Sequence, residues 1–239
     1  ATFDCFPSNH DPLPAAVAIE CLHTYTLIHD DLPCMDDSDL RRGKPTCHKQ
    51  FDEATALLAG DGLLTHSLWM LAEHYHQSPA LATALVRDLG SAAGSEKLIG
   101  GQMEDLLGEL AEPDADRLQF IHENKTAALI TAALTMGARI SDASSESIEK
   151  LTTVGRCLGL AFQVIHDILD ATADSTTLGK PTGADEANRK MTYPSLFGLD
   201  ESRKKANALT LRAKEICQSL DGETAFLLQL IEKMGQRIH

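Results

Sequence analysis

The sequence predicts an all-α protein, an antiparallel bundle of long helices. Three observations predict it. Almost no stretch alternates apolar and polar residues with period two, and β-branched residues rarely cluster. Ala- and Leu-rich runs of helical length fill most of the chain. The Pro-, Gly- and Asp-containing segments between them are short, apart from one around 172–193, so consecutive helices are expected to be antiparallel neighbours.

Ala1 to Pro14 reads as the end of one element and a loop, because Pro7, Ser8, Asn9 and Pro12 interrupt it. The first helix is expected from Pro14 to Asp31. Pro14 suits a first-turn position. Ala15-Ala16-Val17-Ala18-Ile19 then opens a helix that is apolar nearly all round, the pattern of a buried helix. Its polar residues His23, Thr26 and Asp30 fall at spacings of three and four and share one face. Pro33 ends the pattern. Phe51 to His76 is the next helix. Ala80 to Leu107 reads as one continuous helix, with Gly100-Gly101-Gln102 inside it. Gly108 to Asp116 is a polar loop, with Pro113 near a helix start. Arg117–Ile140 and Ser147–Leu169 are helices, and Thr172 to Tyr193 is a long polar loop. From Pro194 two more helices are expected, divided near Asp221-Gly222.

The chain has 239 residues, 43% of them hydrophobic, which is ample for a sizeable core; residues 1–239 are read as a single domain. Its formal net charge of −14 makes nucleic acid and anionic membranes poor candidates as partners of the bulk surface. No apolar run approaches transmembrane length, so no transmembrane segment is expected. The six cysteines are scattered and form no CxxC pair, which fits reduced thiols better than a disulfide framework or a zinc site.

Against that acidic background one stretch stands out, Leu27-Ile28-His29-Asp30-Asp31-Leu32-Pro33-Cys34-Met35-Asp36-Asp37-Ser38-Asp39-Leu40-Arg41-Arg42-Gly43. Neighbouring carboxylates repel. They are tolerable when solvated, as in ordinary acidic surface runs, or when they hold cations. Here they cap an apolar helix and two arginines follow at once. That combination suits a phosphorylated ligand held through Mg²⁺, an ion that takes oxygen ligands and shares them with phosphates. The arginines can grip the remaining oxygens in a bidentate manner. Asp30 and Asp36, six residues apart, would not share a helical face; a break at Pro33 is what swings Asp36 back.

A second stretch, Leu158 to Asp170, repeats this logic. Gln163, Asp167, Asp170 and Asp174 are spaced four, three and four, a polar stripe on an otherwise apolar helix. The stripe is either a solvated face or the lining of a cavity, and the apolar flanks favour the cavity. His166 beside it reads as a hydrogen-bonded structural residue or a ligand. Two such acid-tipped helices facing each other would make a polynuclear Mg²⁺ site, with an apolar shaft below.

With these residues in view the chain resembles the short-chain trans-isoprenyl diphosphate synthases, in particular the bacterial-type farnesyl diphosphate synthases. Asp30-Asp31-Leu32-Pro33-Cys34-Met35-Asp36 matches the family's first aspartate-rich motif, and Arg41-Arg42-Gly43 follows at the family spacing. Gly101-Gln102-Met103-Glu104-Asp105-Leu106, His122-Glu123-Asn124-Lys125-Thr126, Phe162-Gln163, Leu178-Gly179-Lys180 and Lys190-Met191-Thr192-Tyr193-Pro194 come in family order from about residue 15 to 200. The resemblance implies a helical bundle around a deep central cavity, a homodimer, and a cytoplasmic enzyme, or a plastid one if a transit peptide preceded Ala1. It implies condensation of isopentenyl diphosphate with an allylic diphosphate (dimethylallyl or geranyl), with up to three Mg²⁺ ions, giving farnesyl diphosphate.

Matching positions imply that Asp30, Asp36, Asp167 and Asp170 hold metal, with Asp31 in support. Arg41, Lys125, Lys180 and Lys190 are assigned to the allylic diphosphate and Arg42 to isopentenyl diphosphate. The Thr126 carbonyl and the Gln163 amide are assigned to the allylic cation. Each lysine, taken alone, reads equally as a solvated surface residue. Tyr25 and Thr26, one turn deeper than Asp30, are expected to set product length, with Tyr25 as the floor of the shaft; the alternative for Tyr25 is a plain core aromatic.

The chain departs from the family's pattern in two places. The first aspartate of the second motif is His166, and imidazole is a poor Mg²⁺ ligand. The upstream Gly-Lys-x-x-Arg segment is not in the sequence, which starts at Ala1, and is expected to lie outside it. Competing readings are a geranyl or geranylgeranyl diphosphate synthase, a non-catalytic synthase-like regulatory subunit, and a terpene cyclase, which would have no need of Arg41-Arg42.

Overall fold

A computed structural model of the chain describes residues 1–109, 111–172 and 190–235. Lys180, Asp174 and most of the expected 172–193 loop lie outside the described residues. Those that are described gather into two compact units. One is Leu13–Val86; the other is Ala1–Pro12 together with the described residues from Arg87 onward.

In the first unit, α1 (Leu13–Asp30) packs along α3 (Glu53–His74). The buried face of α1 is Ala15, Ala18, Leu22 and Tyr25, at spacings of three and four. Asp52 caps α3, its Oδ1 accepting the Thr55 N–H at 2.8 Å. Between these helices lie two short antiparallel strands, β1 (Leu40–Arg41) and β2 (Lys44–Pro45), followed by α2 (Cys47–Gln50). This hairpin is a small exception to the all-helical expectation. Its two-residue turn puts Arg42 at φ 53° and Gly43 at φ 75°, and positive φ at both central positions suits tight hairpins.

Helix α4 (Pro79–Ala93) does not continue to Leu107. The chain leaves helical geometry at Gly94-Ser95-Glu96-Lys97, and α5 (Leu98–Gly108) starts afresh. Glycine at 94 weakens a helix that would otherwise run on. Its carbonyl instead takes the N–H groups of Lys97 and Ile99 at 3.1 and 3.3 Å.

In the second unit, α6 (Ala115–Ile121) is capped by Asp114, whose Oδ1 accepts the Asp116 N–H at 2.9 Å. The expected helix from Arg117 to Ile140 is not uniform. A π-helical turn, His122–Ala127, lies between α6 and α7 (Ala128–Ile140). Helix α8 (Ser145–Thr172) follows, then α9 (Tyr193–Phe197), α10 (Leu199–Gln218) and α11 (Ala225–Gly235). The last part therefore holds three helical segments where two were expected. Gly198, at φ 81°, separates the first from the second in a conformation that only glycine adopts without strain. The core of this unit joins α7, α8, α10 and α11 through Leu134, Leu151, Val154, Leu158, Ala213, Leu227 and Ile231.

Candidate active site

The acid-rich loop follows from Pro33, which lacks the N–H that a continuing helix needs. After Asp30 the chain curls back instead. Met35 and Asp37 donate their N–H groups to the Leu32 carbonyl at 2.9 and 3.1 Å, and Asp36 donates to the Asp30 carbonyl at 2.9 Å. The break thus brings Asp36 back to Asp30 as expected, and both residues are partly exposed. Asp31 behaves differently. It is buried and gripped by Arg41, with Nε to Oδ2 at 2.8 Å and Nη2 to Oδ1 at 2.7 Å. That two-pronged pair fixes the hairpin to the end of α1. The bond to Asp31 raises the Arg41 pKa further, against the opposing effect of burial. Thr46 adds a second tie: its hydroxyl donates to the Ser38 carbonyl at 2.7 Å.

One turn below, Tyr25 is buried, and Thr26 donates its hydroxyl to the His23 carbonyl at 2.8 Å. His23 is made harder to protonate by burial, with Glu20 opposing and the charges of Arg42 and Arg41 reinforcing.

The second unit carries a basic cluster. Gly101 lets α5 meet the π turn backbone to backbone: a Cβ at 101 would overlap Lys125 N. Asp105, one turn along α5, is thereby brought to Lys125. The Lys125 ammonium donates to Asp105 Oδ2 at 2.6 Å, and Lys190 Nζ lies 3.6 Å from the same oxygen. Burial pushes the Asp105 carboxyl up, but the two lysines outweigh it and hold it below the usual carboxylate range. Lys190 also lies 4.0 Å from Glu109.

Beside this cluster a polar chain crosses to α8, which approaches the π turn closely because Gly159 has no side chain to meet Ala127. The Thr126 hydroxyl donates to Gln163 Oε1 at 2.9 Å, and Gln163 Nε2 donates to Asp167 Oδ1 at 3.0 Å. The other oxygen of Asp167 accepts the Tyr193 N–H at 2.8 Å and lies 3.4 Å from His122 Nε2. Burial, with Asp105 opposing and His166 and Lys125 reinforcing, lowers the His122 pKa to about 4, so this ring is neutral at pH 7. Asp170 is buried and His166 is half-buried.

The two acidic stretches therefore differ. Asp30 and Asp36 present hard oxygen donors from adjoining backbone, which fits Mg²⁺. Among the described residues no group of three or more His, Cys, Asp or Glu side chains forms a closed cage. An ion that takes one or two carboxylates and completes its shell with phosphate oxygens needs none. Asp167, by contrast, is 2% exposed and already receives protein donors on both oxygens, which fits an internal anchor.

Sequence reasoning gave no role to Asp105 or His122, although both lie inside family motifs. The available signal was an aspartate placed four residues after Gly101 in a helical run that also holds Met103, Leu106 and Leu107; once buried, a carboxylate there demands a cationic partner.

The polyprenyl synthetase family model matches residues 4–225. Farnesyl diphosphate synthase of Bacillus subtilis (strain 168) is 44% identical over 234 residues, 97% of this chain and 79% of that protein. The chloroplastic geranylgeranyl pyrophosphate synthase 7 of Arabidopsis thaliana is 47% identical over 212 residues, 87% of this chain and 61% of that protein. The crystal structure of a geranyltransferase from Helicobacter pylori, complexed with magnesium and isoprenyl diphosphate, superposes with a TM-score of 0.81 at 37% identity, over 92% of this chain and 72% of that one. A matched family model over nearly the whole chain, on a predominantly helical fold with carboxylates and cations at the motif positions, leaves one conclusion: the chain belongs to the polyprenyl synthetase family of prenyltransferases.

Proposed function

We propose that this chain condenses isopentenyl diphosphate with an allylic diphosphate, head to tail, and releases farnesyl diphosphate. The observation that carries the reading is the acid loop itself. Its turn adjoins Asp30 and Asp36, and Asp31 anchors Arg41 beside them. Carboxylates for a metal and the Arg41 guanidinium for phosphate oxygens stand side by side.

In the reaction the allylic C–O bond breaks, the isopentenyl double bond attacks the allylic carbon, and a proton leaves to the departing diphosphate. Mg²⁺, when bound, neutralises charge on that diphosphate. Asp30 and Asp36 would hold it, with Asp170 and His166 the remaining donors of the second stretch. Asp167 supports the second stretch by fixing Gln163. Arg41, Lys125 and Lys190, joined by Lys180, would bind the allylic diphosphate, and Arg42 the isopentenyl diphosphate. Asp105 bridges Lys125 and Lys190 through one oxygen and keeps the two cations together. Stabilising charge that develops on the leaving group lowers the barrier most when such cations are already in place. Thr126 and Gln163, tied to one another, would face the cation. Tyr25, with Thr26, would stop elongation.

No described helix is long and apolar enough to cross a membrane. The six cysteines are free thiols, which supports a cytoplasmic setting for the proposed homodimer. Incubation with Mg²⁺, isopentenyl diphosphate and geranyl diphosphate, with products identified by mass, tests the function. Farnesyl diphosphate as end product is expected. The Arabidopsis relative's name favours a second reading, and a twenty-carbon product would select it. No condensation by a chain that binds the substrates would select the regulatory-subunit reading, with His166 as its cause.

A further inference from the structure

His29 stands on the last turn of α1, between Tyr25 and Asp30, and the condensation reaction gives it no part. Its surroundings are closely built. Nε2 lies 2.9 Å from the Leu57 carbonyl oxygen on α3. A carbonyl only accepts, so this nitrogen carries a proton. The imidazole and the Tyr25 ring form a T-shaped pair, centroids 5.2 Å apart and planes at 83°. Its flank lies against the backbone of α3 at Gly60, where a Cβ would overlap three atoms of the ring. Helix α3 thus carries a buried glycine in its interior, a residue that weakens a helix unless something makes use of the space it leaves. The imidazole fills the space that the missing side chain leaves.

We propose that His29 is a positioning residue for product length, held by Gly60 and Leu57 and in turn holding Tyr25. This rests on Tyr25 acting as the floor. Residues four apart on a helix are neighbours, and a tyrosine in a helix has two accessible χ1 wells. The imidazole one turn along favours the well in which the rings meet. With that ring gone, Tyr25 visits the other well, the shaft deepens, and a further isoprene unit fits.

The test compares the wild type with His29→Ala, His29→Gln and Gly60→Ala, each given Mg²⁺, isopentenyl diphosphate and geranyl diphosphate. His29→Ala is expected to raise the ratio of twenty- to fifteen-carbon product about tenfold, equivalent to ~1.4 kcal/mol, within the reach of an edge-to-face ring pair. Gly60→Ala moves the ratio the same way, because its methyl group evicts the imidazole. His29→Gln, whose carboxamide can still donate to the Leu57 carbonyl but offers Tyr25 no ring, is expected to leave the ratio raised. Variants that melt earlier or turn over more slowly at an unchanged ratio would overturn the proposal and leave His29 a packing residue. A folded His29→Ala protein that makes no product would also overturn it, and so would failure of both His29 variants to fold. If Gly60→Ala alone fails to fold, His29→Ala, which only removes atoms, decides. Failure of the wild type to make any prenyl diphosphate would sink the functional reading first, and this proposal with it. A wild type that releases mainly twenty carbons would sink the Tyr25 floor alone.

Discussion

Two histidines show how single residues set the working conditions of this chain. His122 is buried and protonates only near pH 4, whereas in an unfolded chain it does so near 6.5. Between those values the unfolded state binds the extra proton. Stability therefore falls as pH drops from about 6.5 to 4, by up to roughly 3 kcal/mol, and this contribution then levels off. Asp105 works at lower pH. Its depressed carboxyl contributes stability above the unfolded carboxylate pKa, and that is lost as pH falls through the folded value. Melting temperatures of the metal-free protein across this range should show the decline, and His122→Gln should flatten its upper part. An unchanged slope in that variant would place the acid sensitivity elsewhere. His166 offers a different test. Mg²⁺ prefers hard oxygen, so His166→Asp is expected to lower severalfold the Mg²⁺ concentration needed for half-maximal binding of a diphosphate analogue. Titration calorimetry reads this directly, and an unaltered midpoint would remove His166 from the metal's surroundings.

Among the elements, the π turn at His122–Ala127 does the most positioning. A π turn carries more residues than an α turn, so it shifts the register of the helix after it and is frequent at functional sites. Here it directs Lys125 to α5 and Thr126 to α8. Gly101→Ala would push α5 away from it. The expected cost is about 1–3 kcal/mol of stability, as for other overpacked contacts. With it should come a weaker affinity for the allylic diphosphate as Asp105 draws back from Lys125. Denaturant unfolding and substrate titration check the two halves separately, and a stability loss with normal affinity would separate the glycine from the basic cluster. None of this register was visible in the sequence. Apolar runs and breakers located the helices, and Pro33 announced the turn that adjoins Asp30 and Asp36. The break at Gly94–Lys97 was hidden because the glycines of this region sit in a run whose composition is otherwise helical. The π turn was hidden because its residues would suit an α-helix equally well. The Asp31–Arg41 pair depends on a hairpin that places partners ten residues apart, and the link from Lys190 to Asp105 spans 85 residues; both arise from tertiary packing rather than from any local period.

At the scale of the whole molecule the net charge of −14 bears on how metal and substrate bind. Such a chain repels itself, and any salt relieves part of that by screening. To first order screening depends on ionic strength, so Mg²⁺ and a monovalent salt are compared at matched ionic strength. Specific binding then tells them apart. The acid loop offers two carboxylates, and no cage of three or more forms among the described residues, so the metal is held weakly until phosphate oxygens complete its shell. Mg²⁺ alone should therefore raise the melting temperature little more than NaCl does, and a diphosphate analogue alone should do about as little. Both together should act as a single tight ligand. At a hundredfold excess over the dissociation constant this adds about 2.7 kcal/mol, or about 5–10 °C for a chain of this length. A chelator should return the protein to its starting melting point. An equal shift with Mg²⁺ alone would mean that the carboxylates bind the ion without help, and the reading of Asp30 and Asp36 as half of a shell shared with substrate would have to be given up.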